Sequence, residues 1–587
     1  MIKRIDHLCA LVILAAALML GGCSIESDRS EKPSPDWSRG LRLGRTSLRQ
    51  PVALQVDSDR HVHLVWCDDG LRYAQLDEQA HVLINERLGI DLPSPRKPQL
   101  LVDGEDTIHL AWLSRAEGIQ ELYHVSIDQG ATTDGPVLVS WEGQNVSGFQ
   151  MYLSPSAGVE FIWAGEFGQG SSALAHTTLQ DPDRSTTLVP DGIDPYVLVD
   201  DKGTVHVAWL QERGYTARSV YYATLNGTAP DLQVVPAGGH NLASFEFSES
   251  GVYQGPIIGL DTDNTYVLWS IQNLGGGLTP TAAFSYRVSF RHGAPELANP
   301  RAIGLPAAFR PDYIDYTSPY GFTQISPLSA DETVYSSDFV NSPATVPSLQ
   351  AELPVAFSLL TQSEATSQIQ LATAILSKGE QVGYQLASKT GNASLMPAIT
   401  TDPDTYLHLA WIDTAGFKEF DVYYASNAPE ARNWLDRTSS EDIVLGAADL
   451  VFGLMSGIGL LPIAAIWSFP PLVWVVVFFI FSGQEELMRT LAKVGFAIAI
   501  VLYAGMKLLL LPGLFRGTPF LYLVPREWAT FTGMAVPAFI LGVALAAVYL
   551  YSRRSERATI FKGYLIFALV DVLLTLGLYA PGFFGAG

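Results

Sequence analysis

Hydrophobic and polar positions repeat along the first three quarters of this chain. Four segments align almost without gaps, and they begin at Pro51, Pro98, Pro195 and Pro397. Each has a Pro, a short apolar run, an Asp, a polar turn and a second apolar run that ends in His-x-x-Trp. Because Pro is tolerated at the first residue of a strand and Asp-rich turns join antiparallel strands, each segment predicts a β-hairpin that starts at its Pro.

A third β-type run follows each hairpin, so the repeating unit has three or four short strands. Divergent copies bring the aromatic residues that end the second run, which we call landmarks, to seven: Trp66, Trp112, Trp163, Trp209, Trp269, Phe357 and Trp411. A small sheet whose strands are apolar on both faces cannot bury both faces alone, whereas a closed ring of such sheets can. The pattern therefore predicts an all-β propeller of about seven blades over residues 46–440.

The longest spacing, between Trp269 and Phe357, predicts an insertion or a degenerate eighth blade at residues 295–350. An insertion is favoured because no His-x-x-Trp pattern occurs there. The stretch is rich in Pro and aromatic residues, and long insertions on rigid scaffolds often form binding loops. Tyr-rich loops contact glycans or proteins at low entropic cost. The candidate ligand-binding residues are therefore Arg310, Tyr313, Tyr316, Tyr320 and Phe322.

The N-terminus has the pattern of an export signal. Its apolar run, Leu8–Leu20, is too short to span a bilayer but typical of a secretory signal. The run ends in Leu20-Gly21-Gly22-Cys23, which resembles the lipobox of bacterial lipoproteins. The resemblance implies removal of residues 1–22 and a lipid on Cys23, and an uncleaved anchor is the alternative. Polar residues 23–45 predict a flexible tether to the propeller.

The composition changes abruptly at residue 441. Three later runs, at about 494–511, 529–551 and 563–580, are long and apolar enough for membrane helices. An earlier block accommodates one crossing, at about 464–481, or two. One crossing places six Lys and Arg on the cytoplasmic side and two outside, and two crossings reverse this. The positive-inside rule therefore favours an all-α transmembrane bundle of four spans over residues 441–587, with five as the alternative.

Two ionisable residues, Lys507 and Asp571, lie within predicted spans, where charge is costly. Lys507 is close enough to a helix end to extend its ammonium toward the interface. Asp571 is near mid-depth and should face the bundle interior, paired with Lys507 or protonated. We expect the bundle to serve as an anchor or a subunit contact, and a proton or substrate path is the alternative.

Charge narrows the possible partners. Residues 441–587 hold nine Lys and Arg against eight Asp and Glu, which leaves 27 and 51 in residues 1–440, a net charge of about −24 there. So acidic a region is unsuited to nucleic acid and to direct adhesion to anionic lipid. Cys67 is the single cysteine of the predicted exported part, so the propeller must be held by its core rather than by an internal disulfide.

The repeat rhythm over roughly residues 48–428 resembles that of secreted bacterial propellers of the sialidase-like type. The resemblance implies the fold, and it makes glycoside hydrolysis an alternative activity. The Asp-box of bacterial neuraminidase repeats, Ser-x-Asp-x-Gly-x-Thr-Trp, does not occur in the sequence. Nor can an arginine cluster with a nucleophilic Tyr and its Glu partner be placed from the sequence.

Four histidines share the repeat position three residues before the landmark: His63, His109, His206 and His408. Because the ring holds equivalent positions apart, a shared metal site is disfavoured. Each is predicted to hydrogen-bond a turn or a neighbouring strand of its own blade. The repeated acids are predicted to cap turns, and the landmarks to fill the core; these acids are Asp57, Asp103, Asp200, Asp261 and Asp402.

No nucleophile elbow, phosphate-binding loop, HExxH or CxxC pattern occurs in the sequence, so no catalytic residue, metal or cofactor is assigned. The chain is predicted to be a propeller on the extracytoplasmic side of the cell membrane, lipid-anchored and multi-pass, that binds a glycan or a protein. The alternatives are a sialidase-like hydrolase at the cell surface and a subunit of a larger membrane complex.

Overall fold

A computed structural model gives the chain as two compact units, one formed by Asp28–Arg437 and the other including the chain from Thr438 onward. In the described residues the first unit is built almost wholly from β-strands and the second from α-helices. The structure describes residues 28–128, 130–133, 135–154, 158–167, 171–213, 217–227, 232–246, 251–274, 280–295, 300–305, 323–324, 339–347, 350–362, 367–444, 461–510, 529–555 and 557–583.

The first unit is a seven-bladed propeller, and each blade is an antiparallel sheet whose strands follow one another from the channel outward. The N-terminal strand β1 (Leu41–Thr46) belongs to the last blade. Blade 1 comprises β2 (Ala53–Val56), β3 (Val62–Cys67), β4 (Leu71–Leu76) and β5 (Val82–Arg87). Blade 2 comprises β6 (Pro95–Val102), β7 (Ile108–Ala116), β8 (Ile119–Asp128) and the short strands β9 (Ala131–Thr132) and β10 (Val137–Leu138).

Blades 3 to 5 follow the same meander. Blade 3 comprises β11 (Val146–Ser154), β12 (Gly158–Phe167), β13 (Ser171–Thr178) and β14 (Asp181–Pro190). Blade 4 comprises β15 (Gly192–Val199), β16 (Val205–Glu212), β17 (Ala217–Asn226) and β18 (Gln233–Glu246). Blade 5 comprises β19 (Gly251–Leu260), β20 (Asn264–Leu274), β21 (Pro280–Arg291) and β22 (Arg301–Ala302).

Blade 6 carries a fifth strand, β23 (Thr323–Gln324), at its outer edge. Its other strands are β24 (Val340–Thr345), β25 (Leu353–Gln362), β26 (Ser367–Ser377) and β27 (Glu380–Leu386). The described part of residues 295–350 thus supplies edge and inner strands to blades 5 and 6 and forms no eighth sheet. Blade 7 comprises β28 (Ser394–Thr401), β29 (Leu407–Gly416), β30 (Glu419–Ser426) and β1.

The N-terminal strand closes the ring, because β1 pairs with β30 as the outermost strand of blade 7. The flexible tether predicted for residues 23–45 is therefore ordered over its described part, where Trp37 is fully buried against blade 7. Helix α1 (Pro429–Leu435) follows β30, and the Arg29 guanidinium donates to the Leu435 carbonyl oxygen at 3.3 Å. Both ends of the propeller unit consequently lie side by side.

The landmarks fill the core, as predicted. All seven are at most 3% exposed, and several stack on a tyrosine directly opposite on the third strand of the blade. The ring centroids of Trp209 and Tyr221 are 5.6 Å apart, and those of Trp411 and Tyr423 are 5.4 Å apart. Such cross-strand aromatic pairs stabilise a sheet beyond simple burial, which explains why the aromatic position repeats.

The repeat prolines occupy a different place from the one predicted. Pro98, Pro195 and Pro397 lie inside the inner strands, at points where the pairing register shifts. Their predicted position at the first residue of a strand was therefore wrong. Since Pro has no N–H to give to a ladder, a bulge in an edge strand is a place where it costs no hydrogen bond.

The described part of the second unit has four long helices, α2 (Leu461–Ser482), α3 (Thr490–Leu510), α4 (Ala529–Arg554) and α5 (Ile560–Phe583). All four are long and apolar enough to cross a membrane. Helix α5 packs against each of the other three, and its inner face is correspondingly the most buried. The predicted number of four spans is thus matched by four helices in the described residues.

Candidate functional site

The repeated histidines are part of a hydrogen-bonded network inside each blade. His63 contacts Asp57 Oδ2 through Nε2 at 3.1 Å and the Tyr73 hydroxyl through Nδ1 at 2.8 Å. Asp57 Oδ1 also accepts the backbone N–H of His61 at 2.7 Å, so the carboxylate caps the turn as predicted. Burial raises the pKa of Asp57, but the bonds from His63 and His61 outweigh it and hold that pKa below its usual value.

The same Asp–His–Tyr arrangement recurs in blades 4 and 7, at Asp200–His206–Tyr222 and Asp402–His408–Tyr424. In blade 2 a second histidine, His124, stands in the place of the tyrosine, 3.1 Å from His109. Burial and the neighbouring His109 lower the pKa of His124 to about 3. The four histidines therefore bind the turn and third strand of their own blades, which confirms the structural interpretation.

Blade 3 contains a tyrosine–glutamate pair of the kind that glycosidases can use. The Tyr152 hydroxyl donates to Glu160 Oε2 at 2.6 Å, and His176 Nε2 contacts the same oxygen at 2.8 Å. Glu160 occupies the repeat position of the histidines, and all three side chains are at most 4% exposed. This triad is the blade 3 version of the Asp–His–Tyr network and is closed to a substrate.

Several solvent-accessible polar side chains lie at one end of the channel. The inner strands β2, β6, β11, β15, β19, β24 and β28 contact each other around the ring. Because they run in the same direction, their N-terminal ends meet at one end, which we call the channel mouth. The bulges lie there, and the residue before each repeat proline often has a left-handed backbone, as in Lys97 (φ 49°), Asp194 (φ 46°) and Met396 (φ 53°).

Side chains at these bulges connect neighbouring blades. The Lys97 backbone N–H donates to Gln50 Oε1 of blade 1 at 2.9 Å, and its Nζ donates to the Ser147 carbonyl oxygen of blade 3 at the same distance. On the other side of the ring, the Ser342 hydroxyl donates to Gln254 Oε1 at 2.6 Å. Non-Gly residues with a left-handed backbone are uncommon and cost energy, so these contacts offset a local strain.

A cluster of polar side chains at the mouth joins blades 4 and 5. The Tyr253 hydroxyl donates to Asp194 Oδ2 at 3.1 Å, and the Arg218 guanidinium lies 5.5 Å from the centre of the Tyr253 ring. Arg218 also pairs with Glu212 at 2.6 Å. Burial and the Asp194 charge raise the pKa of Tyr253 against the opposing effect of Arg218, so the phenol keeps its proton. Asp194 and Tyr253 are both half-buried and open to solvent.

Blades 1 and 2 bring three cations to the mouth, Arg49, Arg96 and Lys97. Neither arginine forms an ion pair or a side-chain hydrogen bond within the part of the chain that the structure describes. The Nε atom of Arg96 is buried there without a hydrogen-bond acceptor. Unpaired guanidinium groups are unexpected in so acidic a region, and they are strong donors to carboxylate or sulfate oxygens.

The sequence did not predict the mouth residues, since they differ in chemistry from copy to copy. The predicted loop residues Arg310, Tyr313, Tyr316, Tyr320 and Phe322 lie outside the described residues, and so does Cys23. A signal for the mouth was nevertheless present. The position before each repeat proline varies between the copies, which have Gln50, Lys97, Asp194 and Met396 there. Variable positions on a rigid scaffold are typical of binding surfaces.

The two predicted intramembrane residues meet inside the helical unit. Lys507 Nζ donates to Asp571 Oδ2 and to the Thr575 hydroxyl, both at 2.6 Å, and the Tyr503 hydroxyl donates to the same carboxylate oxygen at 2.8 Å. Lys507 is 8% exposed and Asp571 is 2% exposed. The pair thus holds α3 against α5, and its hydrogen bonds lie in the interior between the two helices.

No cluster of His, Cys, Asp or Glu able to hold a metal ion occurs among the residues that the structure describes. No protein-family model matches the sequence, and no curated protein matches it.

Several solved structures match part of the chain at low sequence identity. A polysaccharide lyase matches with 7% identity and a TM-score of 0.38, covering 65% of this chain and 90% of its own. An α-L-arabinanase of Penicillium chrysogenum matches with 10% identity and a TM-score of 0.36, covering 67% and 98%. An α-L-arabinofuranosidase of Fusarium graminearum matches with 11% identity and a TM-score of 0.36, covering 69% and 98%. Likenesses of this size indicate no substrate for this chain.

Proposed function

We propose that the propeller is a binding module that takes an acidic glycan across the channel mouth. The observation that carries the proposal is the pair of unpartnered arginines, Arg49 and Arg96, beside Lys97 on a rim that also holds Asp194 and Tyr253. Guanidinium groups recognise carboxylate and sulfate oxygens, and the donors and acceptors elsewhere on the rim match sugar hydroxyls.

A glycan is favoured over a protein ligand by the polarity of the rim. Protein interfaces have an apolar core with polar groups around it. At the mouth, neighbouring blades are joined by carboxylate, phenol, amide, hydroxyl and ammonium groups. Among the described bulge residues that form such contacts, Met396 is the one with an apolar side chain. Close-set donors and acceptors of this kind satisfy hydroxyls that each give and accept a hydrogen bond.

We also propose where the propeller is located in the cell. A lipid on Cys23 and four membrane-spanning helices would hold the propeller on the extracytoplasmic side of the cell membrane. The adjacent ends of the propeller unit support this arrangement, because Lys32 near the N-terminal end pairs with Asp436 at 2.5 Å. Both the lipid-bearing segment and the helical unit can therefore leave the propeller from one place.

Affinity electrophoresis of the full-length protein in mild detergent tests the proposal, with polygalacturonate as the acidic polymer and dextran as the neutral one. We expect retardation by polygalacturonate alone, and a loss of at least tenfold in affinity for Arg96→Gln and for Tyr253→Phe. Arg184→Gln and Tyr73→Phe are the matched controls, since Arg184 is exposed away from the inner strands and Tyr73 is buried inside blade 1.

Two results would contradict the proposal: equal retardation by dextran, or unchanged affinity in both mouth variants. Shortening of the polymer during the assay would instead favour the hydrolase alternative. The detergent preparation also tests the third function, because a stable stoichiometric partner in it would favour a subunit of a larger complex.

A further inference from the structure

One end of the helical unit carries an unbalanced set of cations. The C-terminal ends of α2 and α4 and the N-terminal ends of α3 and α5 meet there through two connecting segments, residues 483–489 and 555–559. The segments are joined by hydrogen bonds from Leu487 N–H to the Ala558 oxygen (2.9 Å) and from Ile560 N–H to the Glu485 oxygen (3.0 Å). We call this end the basic cap, and its cations are Arg489, Lys493, Arg553, Arg554, Arg557 and Lys562.

All six cations are exposed, and few acids oppose them. Arg489 pairs with Glu486 at 3.2 Å. Within the described residues the other five cations form no ion pair, and the remaining described acid of the cap is Glu485. Arg553 lies over the Tyr549 ring at 5.0 Å, which orients its guanidinium without neutralising it. Like charges gathered at one end of a bundle repel one another, so anions from outside the chain would stabilise the cap.

The surroundings of the cap indicate which anion this is. Large apolar side chains lie exposed next to the cations, including Phe481 (86%), Met488 (62%) and Leu550 (54%). A free anion such as inorganic phosphate would satisfy the cations and leave these side chains in water. A phospholipid satisfies both, because its headgroup phosphate meets the cations while its acyl chains cover the apolar surface.

We propose that the basic cap is a binding surface for anionic phospholipid headgroups. The proposal is independent of any ligand of the propeller. The two units would then have different partners. The acidic charge of residues 1–440 disfavours anionic lipids, whereas the basic cap attracts them. Each cation in the field of an anionic leaflet strengthens binding by about fivefold, an effect that salt weakens.

Quenching of tryptophan fluorescence by brominated lipids tests the proposal in the full-length protein, because Trp467 and Trp474 lie in α2. The protein is reconstituted in phosphatidylcholine vesicles that contain brominated phosphatidylglycerol or, in a parallel series, brominated phosphatidylcholine with the same chains. We expect phosphatidylglycerol to be enriched several-fold at the helices. The enrichment should fall toward equality in the triple variant Arg553→Gln, Arg554→Gln, Arg557→Gln, and in 0.5 M chloride.

The control is Arg184→Gln, Lys202→Gln, Arg291→Gln, which removes three exposed cations from the propeller unit and should leave the enrichment unchanged. Equal quenching by both lipids in the wild-type protein, or full enrichment in the cap variant, would overturn the proposal. A loss of enrichment in inorganic phosphate that chloride of equal ionic strength does not cause would also overturn it, since the cap would then bind free phosphate. Circular dichroism establishes that all variants remain folded.

Discussion

Lys507 Nζ lies 2.6 Å from Asp571 Oδ2, and both side chains are buried between α3 and α5. Removing two charges from water costs several kcal/mol, which their attraction recovers only when both are present and hydrogen-bonded. The Tyr503 and Thr575 hydroxyls supply the additional hydrogen bonds. The pair is thus a point where the two helices are held in one register.

Replacing one residue of this pair should therefore destabilise the protein more than replacing both. We expect Lys507→Met to destabilise the helical unit by about 3–5 kcal/mol because it leaves Asp571 as an uncompensated buried charge. The double variant Lys507→Met, Asp571→Leu should recover most of that loss. Thermal unfolding in detergent measures both, with the exposed Lys493→Met as the control. Equal destabilisation by the single and double variants would rule out this explanation.

The turn carboxylates make the propeller sensitive to acid. Burial raises the pKa of Asp402, but the bonds from His408 and the Tyr406 backbone outweigh it, so its folded-state pKa lies below the unfolded value of 3.8. Its stabilisation is therefore present above pH 4 and is lost as the pH falls through the folded pKa. Asp402→Asn should cost about 1–2 kcal/mol at pH 7, and the cost should shrink as the pH falls through the folded-state pKa. Urea unfolding across this range measures the difference, and a pH-independent cost would contradict the charge-based explanation.

For Asp413 we expect the opposite dependence of stability on pH. It is 1% exposed, it accepts a hydrogen bond from Trp411 Nε1 at 2.8 Å, and Asp421 lies directly opposite on the next strand. Burial, assisted by Asp421 and opposed by the bonds from Thr390, Ser394 and Trp411, raises its pKa to about 6. Because the folded state binds this proton more tightly than the unfolded state, the protein should gain stability as the pH falls from 7 toward 4.

The gain expected from Asp413 is about 2–3 kcal/mol, the free energy of a shift of this size. Asp413→Asn removes the ionised state while keeping the shape, so the variant should be more stable than the wild type at pH 8 and should lose the rise between pH 7 and 4. Chemical unfolding at pH 8, 6 and 4 tests this. A variant less stable than the wild type at pH 8 would contradict it.

The sequence predicts a feature of this fold when the contacts that produce the feature lie within one blade. The landmarks, the capping Asp and the buried His repeat because each blade needs the same internal contacts, so their roles could be derived from the pattern. The contact of Tyr253 with Asp194 joins two blades and has no counterpart elsewhere in the described residues, so no periodicity indicates it. The ordered start of the propeller was missed for a similar reason, since β1 reaches blade 7 only through ring closure.

Two glycines of β18 show how closely blade 4 is packed internally, because one of them lies against Trp209 of the same sheet. At Gly239, a Cβ would lie 2.7 Å from Trp209 Cζ2, and the backbone φ is +71°. Gly238 has a φ of +81° with open space around it, and Gly104 has open space without a left-handed backbone. We expect Ala to cost within about 0.5 kcal/mol at Gly104, about 1 kcal/mol at Gly238 and about 3 kcal/mol at Gly239, where strain and overpacking combine. Equal costs at Gly238 and Gly239, measured by urea unfolding, would exclude the clash with Trp209.

The membrane topology can be tested by cysteine labelling. Four spans with an exported propeller put the segment between α4 and α5 on the cytoplasmic side, with the cations of the basic cap, as the positive-inside rule requires. A cysteine introduced as Ser555→Cys should therefore react with a membrane-impermeant maleimide in broken cells and not in intact ones. Lys202→Cys, exposed on blade 4, should react in both, and Cys67 should react in neither because it is buried. Labelling of position 555 in intact cells would mean that the helical unit has the reverse orientation or a fifth span.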